Sequence, residues 1–307
     1  MKIDMRIKIA GITFDNPVWT ASGTFGYGQE FEGLVDLNKV GAIVAKTVTL
    51  NARDGNPAPR VVETPSGMLN SIGLENKGID YFKKTGLSFM KKFRTKAIAS
   101  IAGSTEEEFI KCAEIMSKDE TPDAIEVNLS CPNVHHSAGK YKLFAQDPEL
   151  IERLVGEIKK VSKVPVIVKL TPNVTDITET AKAAEEGGAD AVSLVNTYLG
   201  MAVDAETMKP LLGNVVGGLS GPAIKPIALR AVREVYKSIS IPIIGIGGIM
   251  SGLDVAEFML CGARAVQVGT ANFVDPSGIE NIIKEFEEYL ERKNIKNAED
   301  IIGKLKV

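Results

Sequence analysis

The sequence predicts an α/β protein: a single (β/α)8 barrel with short antiparallel strands inserted at its C-terminal face. Three observations carry that prediction. Short apolar runs recur eight times, at 18–23, 42–47, 97–103, 124–130, 166–170, 191–197, 243–248 and 265–270. Segments with helical periodicity lie between most of them. Nearly every run ends in small or polar residues, where a barrel keeps its chemistry. Strands alternating with helices call for a parallel sheet, and eight is the number that closes one into a barrel. A doubly wound open sheet is the alternative, and the recurring polar strand ends weigh against it.

Length and composition agree with one domain. The chain has 307 residues, and no linker or low-complexity segment divides it, so a single domain over 1–307 is expected. A net charge of −3 with no basic block excludes nucleic acid as the expected partner. No apolar run approaches the roughly 20 residues that cross a bilayer. The N-terminus, Met1 to Lys8, alternates charged and apolar residues like a small β-strand and lacks the apolar core of a signal peptide. A cytoplasmic protein, with no membrane partner, is expected. The three cysteines, Cys112, Cys131 and Cys261, are odd in number and far apart, which offers neither a disulfide framework nor a metal site.

Taken in order, the elements carry their own punctuation. After the second run, 51–77 holds Pro57, Pro59 and Pro65 and is too long for a plain loop. Within it, 60–63 and 68–70 read as short antiparallel pieces. Thr105 with Glu108 forms a possible capping box for a helix whose apolar face is Phe109, Cys112, Ala113 and Met116. Asp147-Pro148 starts a helix bearing Leu150, Ile151, Leu154, Val155 and Ile158. Gly187-Gly188 closes the next helix. The connection 198–222 is again long and glycine-rich, so it and 51–77 are expected to wall a pocket. Ser251 starts a helix with Val255, Phe258 and Met259, which ends at Cys261-Gly262.

The strand ends carry the candidate chemistry. They supply Ser22, Lys46-Thr47, Ser100, Asn128, Lys169 and Asn196-Thr197. The last two runs end in Gly247-Gly248 and Gly269-Thr270, whose backbone N–H groups suit a phosphate. Lys46 and Lys169 follow apolar strands, where a lysine is costly unless it meets an anion or reaches solvent along its own stem. The stretch Asn128-Leu129-Ser130-Cys131-Pro132-Asn133 presents a thiol and two carboxamides where strand turns to loop. A free thiol has a pKa of about 8.5, so Cys131 is either a working thiolate or a structural cysteine. His135 and His136 adjoin each other without further ligands, and no metal is expected.

Four stretches together resemble a class 1 dihydroorotate dehydrogenase: 128–133, Asn70-Ser71-Ile72-Gly73-Leu74, Gly218-Leu219-Ser220-Gly221-Pro222 and Gly245-Ile246-Gly247-Gly248. The resemblance runs from about residue 5 to residue 285. Cys131, where the membrane-associated class carries serine, implies class 1. The stretch from Asn196 to Met201 most resembles subtype 1B. That subtype implies FMN on this chain, and a partner electron-transfer subunit carrying FAD and a [2Fe–2S] cluster. It further implies NAD⁺ as final acceptor and a heterotetramer of two plus two chains.

The resemblance also implies roles. Ser22, Lys46, Thr47, Ser100, Asn128, Lys169, Val195, Gly221, Gly247, Gly248, Gly269 and Thr270 match FMN positions. Lys46, Asn70, Ser71, Ile72, Gly73, Leu74, Asn128, Asn133, Asn196 and Thr197 match substrate positions, where carboxamides suit the amide and imide edges of dihydroorotate and orotate. Cys131 is expected to remove the C5 proton as a hydride leaves C6. The chain departs from the family at Ser100, where asparagine is usual, and in the lid 134–146 with Tyr141 and Phe144, which lacks the usual glycines. Three alternatives stay open: a fumarate-using homodimer of subtype 1A, a pyrimidine-ring reductase, and a flavin-free phosphate-binding lyase or synthase with Lys169 as Schiff base.

Overall fold

All eight apolar runs become parallel strands of one closed barrel in the computed structural model, which describes residues 3–118, 121–130 and 144–306. In chain order the strands before the barrel are β1 (Ile7–Ile9) and β2 (Ile12–Phe14), an antiparallel hairpin. The barrel begins with β3 (Val18–Thr20) and β4 (Ala42–Val44), and the first insertion forms β5 (Val61–Thr64) and β6 (Gly67–Asn70). The barrel continues through β7 (Lys96–Ile101), β8 (Ala124–Asn128), β9 (Val166–Lys169) and β10 (Ala191–Leu194). The second insertion gives β11 (Tyr198–Met201), β12 (Val203–Asp204), β13 (Lys209–Pro210) and β14 (Val216–Ser220). β15 (Ile243–Ile246) and β16 (Ala265–Val268) close the barrel in the order β10-β15-β16-β3-β4-β7-β8-β9.

The barrel strands stop before the polar residues that end most runs. β4 ends at Val44, before Lys46, and β10 ends at Leu194, before Asn196. The barrel strands are buried and mostly apolar because helices cover the outside. These helices are α1 (Ile79–Tyr81), α2 (Ser88–Met90), α3 (Glu106–Met116), α4 (Pro148–Val161), α5 (Ile177–Glu186), α6 (Lys225–Tyr236), α7 (Gly252–Cys261), α8 (Ala271–Val274) and α9 (Gly278–Arg292). From α3 to α7 each packs on the next, and α9 packs on α7. α9 buries Ile279, Ile282, Phe286, Tyr289 and Leu290 along one face. No helix of the described residues is long and apolar enough to cross a membrane.

Two local expectations change. The Thr105 hydroxyl does accept from the Glu108 N–H at 3.3 Å, but the Glu108 carboxylate accepts from Ser104 N at 2.6 Å instead of from Thr105. The reciprocal box forms at α7, where Ser251 and Asp254 cap each other. At the N-terminus, among the described residues, the expected strand pattern sets in at Ile7. The other helix signals behave as read: Asp147 caps α4 with Pro148 in its first turn, Gly187 caps α5, and Gly262 caps α7.

The two long connections do more than was read from them. β5 and β6 pair antiparallel as expected, and β6 then pairs with β14 at Gly218↔Asn70 and Leu219↔Leu69. With β11 on the far side of β14, one four-stranded sheet, β11-β14-β6-β5, stands over the barrel mouth. Nothing local foretells that pairing, because its partners lie 148 residues apart at Asn70 and Gly218. Cys112 and Cys261 are buried packing residues. Burial pushes the Cys112 thiol up to about 12 and raises that of Cys261.

Candidate active site

A cavity of about 680 Å³ opens between the barrel mouth and the inserted sheet. Ser22, Lys46, Thr47, Asn128, Lys169, Val195, Asn196 and Thr197 line it from the strand ends. Gly221, Gly247, Gly248, Gly269 and Thr270 line it from the later loops, and Asn70, Ser71, Ile72, Gly73 and Leu74 from the first insertion. The structure thus gathers residues 248 positions apart, from Ser22 to Thr270, into one space. Cys131, Asn133, His135, His136 and Tyr141 lie outside the described residues. Phe144, read as part of the lid, is buried edge-on against Phe109 at 5.4 Å and so anchors the end of that segment to the core.

Ser100 is placed differently from the expectation. It is fully buried and is not among the residues lining the cavity. Its hydroxyl meets Thr47 Oγ1 at 2.9 Å, and Thr47 in turn meets Ser22 Oγ at 3.0 Å. Asn128 Nδ2 donates to the same Thr47 oxygen at 3.3 Å. Ser100 therefore holds Thr47 from behind. The reason is strand length: β7 runs on to Ile101, which leaves Ser100 inside the ladder.

The carboxamides are cross-linked. Asn196 Nδ2 donates to Asn128 Oδ1 at 3.2 Å, and Asn196 Oδ1 accepts from Thr197 N at 2.8 Å. Asn70 Nδ2 reaches Gly218 O at 3.3 Å across the inserted sheet. These bonds leave Asn70 its carbonyl and one N–H, and Asn128 and Asn196 one N–H each, for a ligand. Asn173, which the sequence reading missed, also lines the cavity. Its Nδ2 donates to Thr171 Oγ1 and Thr197 O, both at 3.0 Å, and its Oδ1 accepts from Leu199 N at 3.0 Å. The signal was its place four residues after β9, the polar-after-apolar pattern seen at the other strand ends. Asn56, equally unforeseen, donates to Ser71 Oγ at 3.0 Å and holds the first insertion in place. Ser130 lines the cavity, and its Oγ is buried without a hydrogen-bond partner among the described residues.

The two lysines differ in their partners. Burial holds the Lys46 ammonium below its usual pKa, with Glu75 opposing that shift and Arg60 adding to it. Lys169 is only 5% exposed, and its Nζ stands 3.7 Å from Glu126 Oε1. The anion expected for Lys169 is thus at least partly supplied by the chain itself. Glu126 was read as part of an apolar strand, and nothing in its neighbours marks it.

The end of the cavity beside the last two strands has the makings of an anion site. Among the described residues, the backbone N–H groups of Gly247, Gly248, Gly269 and Thr270 have no acceptor. Gly248 sits at φ +70, and a Cβ added there would come within 2.7 Å of Gly221 O. A side chain is excluded by both backbone conformation and space, so the loop can wrap closely around a ligand. Unpaired N–H groups converging after the last two strands are the donor set a phosphate monoester requires.

The comparisons point the same way. The family model described as dihydroorotate dehydrogenase matches residues 4–290. A dihydroorotate dehydrogenase B (NAD(+)), catalytic subunit, of Desulforamulus reducens is 51% identical over 303 residues, covering 99% of both chains. The proteins of the same name from Geobacter metallireducens and Bacteroides thetaiotaomicron are 50% and 49% identical over 304 residues, again covering 99% of each chain.

Proposed function

The chain belongs to the dihydroorotate dehydrogenase family, and from that premise we propose that it is the catalytic subunit of a class 1B enzyme. It oxidises (S)-dihydroorotate to orotate in de novo pyrimidine synthesis, as a flavin-dependent oxidoreductase. The supporting observation is that one cavity joins the unpaired N–H groups after β15 and β16 to the carboxamides of Asn70, Asn128 and Asn196, the last two bonded to each other. The first set fits the FMN phosphate and the second a ring of amides and imides.

Gly247, Gly248, Gly269 and Thr270 hold the phosphate. Ser22, Lys46, Thr47, Asn128, Lys169, Val195 and Gly221 flank the ribityl chain and ring. When bound, FMN supplies the hydride acceptor. Lys46, residues 70–74, Asn128, Asn133, Asn196 and Thr197 orient the substrate, and the inserted sheet over the mouth shields it from water. Cys131, as thiolate, takes the C5 proton, the C6 hydrogen departs with its electron pair, and the C5–C6 double bond forms. The electrons pass to NAD⁺ through a partner subunit carrying FAD and a [2Fe–2S] cluster, in an assembly of two plus two chains.

The deciding test is an anaerobic absorbance spectrum of the purified chain before and after dihydroorotate. A flavin spectrum that bleaches is expected. A colourless protein, or a flavin unresponsive to dihydroorotate, would overturn the reading.

A further inference from the structure

We propose that Glu126 is a positioning residue for the flavin chemistry: its carboxylate fixes the Lys169 ammonium at the cavity floor and sets how much of that positive charge reaches the flavin. The inference rests on the functional reading above, in which the flavin lies against Lys169.

Side chains in a barrel interior come in layers supplied by alternate strands, and bulky branched residues usually fill them. Here β8, β10 and β16, alternate strands of the ring, supply Glu126, Ser193 and Gln267 instead. Glu126 is 0% exposed. Its Oε2 accepts from Gln267 Nε2 at 2.7 Å and from Ser193 Oγ at 3.0 Å. Its Oε1 has no hydrogen bond among the described residues, and faces the Lys169 ammonium at 3.7 Å. Lys169 stands beside Asn128 in the β8–β9 register, two residues nearer the mouth than Glu126.

Stability does not account for this arrangement. Two buried charges carry a desolvation cost that an apolar layer of the same volume avoids. The pair is also only half made, since 3.7 Å exceeds hydrogen-bond length and the ammonium has three donors. A lysine so placed shares its charge between the carboxylate below and whatever occupies the cavity above. The neutral donors Ser193 and Gln267 set that share, because they hold the carboxylate from the other side.

The test is the midpoint potential of FMN bound to the full chain. Glu126→Gln removes the counter-charge and leaves the ammonium to the flavin. The reduced form should then gain about tenfold over the oxidised, which is about 30 mV for a two-electron couple. Gln267→Leu withdraws a donor from Oε2, throws the carboxylate more onto Lys169, and should shift the potential the opposite way. Shifts of opposite sign support the proposal. No shift, or shifts of one sign, overturns it.

Reductive methylation of the flavin-free chain with formaldehyde and cyanoborohydride, mapped by mass spectrometry, reads the pair without the cofactor. Lys169 should react several-fold faster in Glu126→Gln while Lys46 is unchanged; equal rates at Lys169 sink the proposal. If the wild-type chain binds no flavin, the functional reading fails, and methylation still decides the pair. If Glu126→Gln does not fold, Gln267→Leu and Ser193→Ala decide, with slower methylation of Lys169 expected in both.

Discussion

The two ends of this barrel are built from the same strands and have opposite chemistry. At the N-terminal end, the β1–β2 hairpin packs Ile7, Ile9 and Phe14 into the core, with Phe14 against Trp19 at 4.4 Å. Arg264, just before β16, bonds Glu299 at 2.7 Å and reaches Lys8 O at 3.5 Å, tying the hairpin down. At the C-terminal end the same strands finish in glycines, hydroxyls, amides and lysines around an open cavity. The contrast teaches that strand direction divides labour: one end closes the core, and the other holds polar groups that the core could not bury unpaired.

Four substitutions probe that division, in order of expected effect. Cys131→Ala should lower dihydroorotate oxidation by about 10²- to 10⁴-fold, the range a general base supplies, while the protein stays yellow. Steady-state turnover across pH checks the assignment. With wild-type protein the rate should climb with pH as the thiolate forms near the ordinary thiol value of about 8.5, and the alanine variant should show no such climb. Cys112, pushed up to about 12, stays protonated throughout and does not contribute. Full activity in the variant would break the comparison at the mouth.

At the opposite end, Phe14→Ala removes a side chain only 1% exposed and should cost about 3–5 kcal/mol by denaturant melts. The folded fraction should keep the wild-type flavin spectrum. A loss of flavin out of proportion to the loss of fold would mean the ends are coupled. Gly248→Ala reverses the pattern. It forces a Cβ into a position at φ +70, with a cost of about 1–3 kcal/mol that should appear chiefly as weaker FMN binding in a fluorescence titration. Glu299→Gln at the base breaks a half-exposed ion pair and should cost less than about 1 kcal/mol, with kcat and KM unchanged.

Much of this is legible in the sequence. The eight strands could be read because each is a short apolar run ended by a change of residue type, and both periodicity and punctuation are local. Asp147-Pro148 and Ser251 could be read for the same reason: a cap satisfies N–H groups two or three residues away. Gly247-Gly248 and Gly269-Thr270 were legible as mouth residues because barrel topology assigns a place to the last two strands, and all four line the cavity. Thr105–Glu108 shows the limit of such reading. The residue types suit a box, and the backbone still directs Glu108 to Ser104.

What the sequence determined by itself is therefore the barrel, the order of its strands and the residues at their C-terminal ends. Tertiary structure decided three further things. It joined two distant insertions into one sheet, it drew Ser100 behind Thr47, and it set Glu126 beneath Lys169. Each depends on which side chains meet across strands far apart in the chain. Local pattern is silent there, because a residue in a closed barrel acquires its neighbours only when the barrel closes.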